Sequence, residues 1–484
     1  MNYSIASLEI AVVTLGLVLL LADLWTPGQH KRKLGYIAAG ILMLFLIGTF
    51  TSHCSCSLRG TGFGGMFVQD GLSVFFKRFF LLAAILILLV AVEFSDRIAS
   101  GVSEYYSLII FALSGMLFAA SANDFVMLFV SIELITITFY VLTSFQRNRL
   151  GSLEAGVKYL ILGALSSAIM VFGIALVWGT SGQFNFTELA NVSATLAGNK
   201  IFLMGVLLVL VGLGFKIAAF PFQIWAPDVY QGAPTPTTAF LAVGSKAAGF
   251  VLLLRFLFSA IPSVTEQWRN GLIVISAVTI LYGNLCAIPQ RNLKRLMGYS
   301  SIAHAGYMLL GVAALSSAGQ SAVLYYLSGY LFTVLAAFAV IAIVMRHLDS
   351  EDISGLAGLN QRSPLLAATL TLAMVSLAGI PPLAGFFGKF LLLKAVIEQG
   401  TTNHGYYCLA FTALAGVVMS LYYYFGVIRA IYWSGEAKDL SPIQISCPIR
   451  AAICVCIAGM FWLGLFPGAM LRLATAAVKV LGSQ

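Results

Sequence analysis

The chain has 484 residues, of which 60% are hydrophobic and only 9% are charged, and its mean hydropathy is +0.96. Soluble domains carry about 25% charged residues, so this composition predicts an integral membrane protein and excludes a chain built of water-soluble domains. The net charge of +9 does not indicate a nucleic-acid partner, because the basic residues are spread over many short loops.

Long apolar runs follow one another along the whole chain. A helix needs about 20 apolar residues to cross the hydrocarbon core, and only helices or closed barrels satisfy their backbone in lipid. These runs are too long for barrel strands, so we predict an all-α, polytopic membrane protein with about fourteen transmembrane helices. The predicted spans lie near 5–25, 34–51, 72–92, 105–122, 125–144, 156–178, 201–222, 236–258, 271–289, 298–315, 321–345, 364–397, 405–433 and 450–471.

Two of the predicted spans are interrupted by proline and glycine. The first reads LVLVGLGFKIAAFPFQIWAPDVYQGAP at 208–234, and the second reads LAGIPPLAGFFGKFLLLKAV at 377–396. Proline removes a backbone donor and clashes with the preceding turn, so each helix should break there. Backbone freed at membrane depth is tolerated only where it is buried in protein or lines a water-filled cavity. Lys216 and Lys389 lie beside the two predicted breaks.

Broken, charged helices at matching positions of two halves are typical of inverted-repeat transporters. We therefore predict two inverted repeats, each containing one broken helix. The predicted division is a three-helix segment at 1–103, a first half-channel at 104–258, a second half-channel at 271–433, and a final transmembrane helix with its tail at 434–484.

Lysine and arginine are concentrated on alternate connections between the spans, as at 31–33 and 291–295. Basic loops stay on the cytoplasmic side, so this distribution predicts both termini on the outer side. Lys77 and Arg78, near the outer end of the third span, are an exception to the rule.

Four lysines and one glutamate fall inside predicted spans: Lys158, Lys216, Lys246, Lys389 and Glu133. A charge at the bilayer centre costs at least about 3 kcal/mol, so such residues mark ion paths or ion pairs more often than accidents. Glu133 is the only acid deep within a predicted span. Its structural interpretation is a carboxylate satisfied by a neighbouring hydroxyl such as Ser131 or Thr136, and we favour the functional one.

The individual positions differ in how strongly they indicate function. Lys158 follows Glu154 by four residues, which permits an ion pair, and it lies close enough to a helix end to reach the interface. Lys246 is ten residues into its span and too deep for that. His304 titrates near neutrality and could relay protons, although a hydrogen-bonded packing role is equally compatible with the sequence. Hydroxyl groups surround it at Tyr299, Ser300, Ser301 and Tyr307.

Two further patterns do not indicate cofactors. Cys54 and Cys56, with His53 nearby, lack the paired C-x-x-C spacing of a zinc site, and the other five cysteines are scattered, so we predict no metal and no disulfide. The GTGFGG string at 60–65 matches a dinucleotide-binding pattern but lies in a predicted extramembrane loop without a βαβ unit.

Four segments together carry a resemblance to a known family. They are GLGFKIAAFPFQIWAPDVYQGAPTPTTAFLAVGSK at 212–246, SLEAGVKY at 152–159, NLKRLMGYSSIAHAGYMLLG at 292–311 and SLAGIPPLAGFFGKF at 376–390. The chain resembles the antiporter-like N-type subunits of proton-translocating NADH–quinone oxidoreductase, respiratory complex I. The PDVYQGAPTPTTAF string distinguishes the N-type from the sister M- and L-type subunits. The first three spans and the tail beyond 434 match only loosely.

The resemblance implies roles for the intramembrane residues. Glu133 would pair electrostatically with Lys216 in the first half, and Lys246 would connect laterally toward Lys389, the exit lysine of the second half. Lys158 would belong to the family's polar residues, and His304 would lie on the same central axis. The function implied is proton translocation coupled to quinone reduction elsewhere in the complex.

The resemblance also implies the surroundings of the chain. The partners would be membrane-arm subunits of the A, J, K and M types in a bacterial inner membrane. NADH, FMN, iron–sulfur clusters and quinone would belong to other parts of the complex, and this chain would hold no cofactor. Plastoquinone-linked complexes contain a similar subunit, so the electron donor stays open. A free-standing monovalent cation/proton antiporter and a purely structural membrane subunit are the alternatives.

Overall fold

The computed structural model describes residues 3–51, 60–346, 351–433 and 441–482. The predicted all-α class is confirmed, since helices make up nearly all of these residues. The α-helices, in chain order, are α1 (Ser7–Trp25), α2 (Lys31–Gly48), α3 (Gly71–Phe94), α4 (Val102–Ala120), α5 (Phe125–Thr143), α6 (Leu150–Ser181), α7 (Phe186–Ser193), α8 (Lys200–Ile217), α9 (Trp225–Gly232), α10 (Thr235–Phe240), α11 (Lys246–Arg255), α12 (Arg269–Ala287), α13 (Leu293–Ala313), α14 (Ser317–Val344), α15 (Leu359–Arg362), α16 (Pro364–Ala378), α17 (Ala384–Glu398), α18 (Gly405–Trp433), α19 (Cys447–Leu465) and α20 (Pro467–Val478).

Every predicted span overlaps a helix or a pair of helices in this order. Among the described residues, eleven helices are long and apolar enough to cross a membrane. The three remaining predicted spans correspond to α2, to α13 and to the pair α16 and α17, which are shorter, more polar or interrupted. The total of fourteen spans therefore stays a prediction, as do the boundaries of the two repeats.

The two predicted helix breaks are present. α8 ends at Ile217, and Ala218 takes the left-handed conformation with φ 59° that terminates a helix. α16 ends at Ala378, Gly379 is left-handed with φ 88°, and α17 starts at Ala384. The lysines lie on opposite sides of their breaks, because Lys216 precedes the first one and Lys389 follows the second.

One long helical segment is almost completely buried. The segment Thr235–Ala260 consists of α10 and α11 with π-helical turns at Leu241–Ser245 and Phe256–Ala260, and its most apolar window is entirely buried. π-helical turns inside α-helices are frequent at functional sites. One of the two lies directly before Lys246.

The glycine-rich string between α2 and α3 belongs to a small hairpin. Gly60–Gly62 (β1) pairs antiparallel with Phe67–Gln69 (β2), and α3 follows directly. Two short antiparallel strands do not form the parallel βαβ unit of a dinucleotide site. The cysteines at 54 and 56 and His53, for which no metal or disulfide was predicted, lie outside the described residues.

Two buried ion pairs connect α3 to other helices, one to α1 and the other to α11. Lys77 Nζ lies 2.6 Å from Glu9 Oε1, and both side chains are completely buried. Asp70 caps α3 and accepts two hydrogen bonds, of 3.0 and 2.9 Å, from Arg255 at the end of α11. Lys77 is therefore a core residue and not a loop charge, which explains its departure from the charge rule. Glu9, near the start of its predicted span, is a buried acid that the sequence analysis did not single out.

Candidate functional site

The first half contains a glutamate and a lysine that face each other across α5 and α8. Lys216 is 3% exposed and donates a hydrogen bond to the hydroxyl of Thr136. Thr136 lies three residues after Glu133 on α5, so the two side chains share a face of that helix. The charge of Glu133 acts on Lys216, although among the described residues no ion pair joins them within 4.0 Å.

The carboxylate of Glu133 has a hydrogen-bond partner that the sequence did not indicate. The hydroxyl of Ser167, on α6, donates to Glu133 Oε1. Ser131 donates instead to the Leu128 carbonyl, and Thr136 to the Ile132 carbonyl, so neither expected hydroxyl donates to the carboxylate. Glu133 is half-buried and lies between α6 and the helix that carries Lys216.

Lys246 is bound by a serine from the second half. Its Nζ donates to the Ser301 carbonyl at 2.5 Å and to the Ser301 hydroxyl. The hydroxyls of Tyr230 and Tyr330 lie 3.0 and 3.2 Å from the hydroxyl oxygen of Ser301. Lys246 is 3% exposed, so a buried cation is surrounded here by neutral oxygens of both halves.

His304 is held between two tyrosines. Tyr326 OH lies 2.5 Å from Nδ1, and Tyr424 OH lies 2.9 Å from Nε2. Tyr424 OH is also 2.5 Å from the Ser300 hydroxyl. A neutral imidazole has one donor and one acceptor nitrogen, so one tyrosine donates to the ring while the other accepts from it.

Lys389 is held by the carbonyls that the second helix break sets free. Its Nζ donates to Leu377 O at 2.8 Å and Ala378 O at 3.1 Å, in the last turn of α16. The last carbonyls of a helix have no intrahelical donor and carry partial negative charge, which makes them good partners for a cation. Gly379 is required at this turn for two reasons: its φ is 88°, and a Cβ there would lie 2.9 Å from Lys389 Cδ.

One face of α13 lies between Lys246 and Lys389. Ser300 and Ser301, His304 and Tyr307 recur at helical spacing, so they lie in one stripe. Lys246 contacts the start of this stripe, and the Lys389 ammonium lies 4.8 Å from the ring centre of Tyr307 at its end. The charges of both lysines act on His304 between them. The structure thus brings Lys246, His304 and Lys389 together.

Lys216 lies next to α11, the helix that carries Lys246. A Cβ added at Gly249 on α11 would lie 3.5 Å from Lys216 Cβ, so the stem of Lys216 packs against the helix that carries Lys246. Lys158 contacts neither the Glu133 and Lys216 pair nor the stripe on α13 in the described part of the chain. Its side chain is 44% exposed and pairs with Glu154 at 2.7 Å, as the spacing predicted, and with Asp228 at 2.8 Å.

Several residues of these groups were missed in the sequence. Asp228 binds Lys158 of the first half and Arg295 of the second, the latter at 2.6 Å, and it lies within the singled-out PDVYQGAP string. Tyr326, Tyr330 and Tyr424 gave no signal, since an aromatic residue in an apolar span usually serves as packing. These tyrosines reach His304 and Ser301 only because α14 and α18 pack against α13.

Outside the spans, a carboxylate anchors the connection between α14 and α15. Glu351 lies 3.2 Å from both Lys294 and Arg149. Burial alone would raise the pKa of the Glu351 carboxyl, but the two cations outweigh burial and hold its pKa below the ordinary value. The carboxylate is therefore charged at neutral pH.

These features define a class of protein: a polytopic helical membrane protein with two broken helices and a buried chain of lysines. The family model for the transmembrane part of NADH:quinone oxidoreductases and Mrp antiporters matches residues 122–420. NADH-quinone oxidoreductase subunit N of Desulforamulus reducens is 40% identical over 99% of this chain and 98% of its own length. The subunit of the same name from Heliobacterium modesticaldum is 39% identical over 99% of this chain and 100% of its own length.

Solved structures agree with these relatives. A chain of respiratory complex I from Thermus thermophilus with bound aureothin is 32% identical, covers 96% of this chain and 99% of its own, and superposes with a TM-score of 0.79. A chain of the Mrp complex from a Dietzia species has a TM-score of 0.82 at 20% identity, with 99% and 98% of the two chains covered, and shows the shared fold alone. The chain belongs to the family of NADH-quinone oxidoreductase subunit N. The resemblance predicted from the sequence is confirmed.

Proposed function

We propose that this chain translocates protons across a bacterial membrane, driven by quinone reduction elsewhere in its complex. The observation that carries the proposal is the set of three buried lysines with neutral partners. Lys216 is bound by a hydroxyl, Lys246 by a serine, and Lys389 by two carbonyls. A lysine held in this way can release its proton without leaving an unpaired carboxylate in the membrane.

We infer an order of proton movement that the contacts support. Lys216 would exchange its proton as the charge of Glu133 changes the local field, because Glu133 acts on it without forming a tight pair. The stem of Lys216 packs on α11, which supports Lys246 as the next residue of the path. From Lys246 the path would follow α13 through His304 to Lys389, the exit residue. Lys158, with Asp228 and Glu154, would belong to the hydrophilic entrance region.

The energy for this movement would come from another part of the complex. Moving one charge against 100 mV costs about 2.3 kcal/mol. We propose that neighbouring membrane-arm subunits of the A, J, K and M types transmit it as conformational or electrostatic changes. NADH, FMN, iron–sulfur clusters and quinone would be held outside this chain. The distribution of basic loops supports an orientation with both termini on the periplasmic side.

The direct test is Lys216→Ala in the intact complex. We expect a large fall in NADH-driven proton pumping and in coupled quinone reductase activity, because the exchanging ammonium is lost while no carboxylate becomes unpaired. Mass spectrometry of the gently purified complex checks that the partner subunits are present. Lys394→Gln is the matched control, since Lys394 is exposed and its one ion pair within the described part of the chain is with Glu398.

Full pumping in Lys216→Ala would contradict the role assigned to that residue. Retained pumping when both Lys216 and Glu133 are neutral would favour the structural alternative. A chain that purifies without reductase subunits and exchanges sodium or potassium for protons would favour the antiporter alternative.

A further inference from the structure

Tyr307 differs from Tyr326 and Tyr424 because its ring, and not its hydroxyl, lies against His304. It lies one turn after His304 on α13 and is 2% exposed. Its ring centre is 6.0 Å from that of His304 and 4.8 Å from Lys389 Nζ. The ring therefore contacts both the histidine and the exit lysine.

The hydroxyl of Tyr307 points to α18, away from His304 and Lys389. It donates to the Ala413 carbonyl of α18 at 3.3 Å. A Cβ at Gly416, one turn further along α18, would lie 2.7 Å from this hydroxyl and 3.0 Å from the side-chain nitrogen of Asn284. The absence of a side chain at Gly416 thus makes the space in which the hydroxyl is held, and the aromatic face is left toward Lys389.

Tyr424 contacts His304 through its hydroxyl and not through its ring. Its hydroxyl lies 2.9 Å from His304 Nε2 and 2.5 Å from the Ser300 hydroxyl, so it can accept one proton and donate another. A hydroxyl in such a position can relay a proton, whereas the face of a ring has no exchangeable proton. The face does attract an ammonium ion, most strongly where water is excluded.

We propose that the ring of Tyr307 is a gate between His304 and Lys389. This inference rests on the proposed proton path. In the closed arrangement seen here the ring face and the two carbonyls of α16 hold the protonated lysine. After Lys389 releases its proton outward, the attraction to the ring disappears and the lysine can move. A proton then leaves the histidine cluster and binds the neutral amine, and the charged lysine returns to the ring, which limits backflow.

The test compares two variants of Tyr307 in membrane vesicles that contain the intact complex. Tyr307→Phe keeps the ring and removes the hydroxyl, so we expect pumping per NADH and the passive decay of an imposed pH difference to stay at the wild-type level. Tyr307→Ala removes the ring, so we expect faster decay of the pH difference without NADH and fewer protons pumped per NADH. Oxidation of NADH by a water-soluble acceptor should not change.

Two other tyrosines of α18 are the controls. Tyr422 is 71% exposed, and Tyr422→Phe should leave all readouts unchanged. Tyr424→Phe removes the relaying hydroxyl and should lower pumping without increasing passive decay. A general packing defect in the cluster would lower assembly in all buried variants alike, and a native gel of the complex measures that.

The gate is wrong if Tyr307→Phe loses pumping as Tyr424→Phe does, because the hydroxyl would then carry the proton. It is also wrong if Tyr307→Ala assembles and decay stays at the wild-type rate. Should Tyr307→Ala fail to assemble, Tyr307→Leu replaces it, because leucine fills much of the same volume without an aromatic face: faster decay then supports the gate, and decay at the wild-type rate contradicts it. If the proposed proton path itself is wrong, Lys216→Ala would pump normally. That result is distinguishable from a wrong gate.

Discussion

At the scale of single residues, the chain contains two kinds of buried charge. Lys216, Lys246 and Lys389 have hydroxyl or carbonyl partners, whereas Lys77 and Arg255 have carboxylates at 2.6 and 2.9 Å. Removing one member of a buried ion pair leaves the other uncompensated, which makes such a pair a fixed structural element. A lysine among neutral oxygens has no such constraint. The type of partner therefore separates cations suited to proton exchange from those that hold the fold.

This distinction predicts opposite results for two lysine-to-methionine variants. Lys77→Met leaves Glu9 buried without a cation, so the free energy of unfolding should fall by about 3–5 kcal/mol. Lys246→Met removes a cation that pairs with no carboxylate among the described residues, so stability should fall less than in Lys77→Met, while pumping is lost. Denaturation of the purified complex and proton pumping in vesicles measure the two effects. Equal destabilisation of both variants would contradict the distinction.

The connection at Glu351 predicts a pH dependence outside the membrane. Its folded pKa lies below the ordinary value of 4.5, so the unfolded chain binds the proton more tightly and the ion pairs stabilise the fold above that pH. Glu351→Gln should lower the free energy of unfolding by about 3 kcal/mol at pH 7, because Lys294 is buried. The difference from wild type should shrink as the pH falls below 4.5. Glu188→Gln, at an exposed position, is the control and should show no such trend.

At the scale of elements, the helix breaks create binding groups from the backbone. The end of α16 supplies the carbonyls that hold Lys389, and the break after α8 lies directly beside Lys216. Neither lysine needs a dedicated acidic partner, since a helix terminus provides partial negative charge. The close return of the chain after α16 is possible because glycine occupies the start of α17.

Gly385 tests how closely the two segments of the second broken helix must approach. A Cβ at this position would lie 1.8 Å from the Ser376 carbonyl oxygen, so Gly385→Ala must push α17 away from α16. We expect destabilisation at the upper end of the range of about 1–3 kcal/mol, together with lower pumping because Lys389 moves from its carbonyls. Gly426→Ala on α18 meets no atom within 4 Å and should be neutral or slightly stabilising. Thermal denaturation and pumping assays check both variants.

At the scale of the whole molecule, the buried helix of α10 and α11 links the parts of the chain. It carries Lys246 at one end of α11 and Arg255 at the other. Arg255 binds Asp70 at the start of α3 and also the Ala120 carbonyl at the end of α4, at 3.0 and 2.8 Å. The start of α3 and the end of α4 are thereby fixed to the helix that carries Lys246.

A double-mutant cycle on this pair measures how much the connection contributes. Arg255→Gln or Asp70→Asn alone should each lower the free energy of unfolding by about 3–5 kcal/mol, because a buried charge loses its partner. The double variant should recover most of this loss, since no unpaired charge remains. Denaturation of the purified complex gives the values. Additive losses in the double variant would show that the two residues act independently.

The sequence by itself determined the helical class, the order of the helices, both helix breaks and the position of a lysine beside each break. These properties depend on local features: apolar length, proline chemistry and the position of a charge within a run. The pairing of Lys158 with Glu154 was equally local, since it follows from one turn of helix.

The tertiary structure alone decided which groups meet. Asp70 and Arg255 are separated by 185 residues, Lys216 and Thr136 by 80, and Tyr424 and His304 by 120. The physical reason is that a membrane helix which is apolar all round has no amphipathic stripe to reveal the face that will pack inward. Only the packing of α11, α13, α14, α17 and α18 brings these lysines, the histidine and the tyrosines together in one connected group.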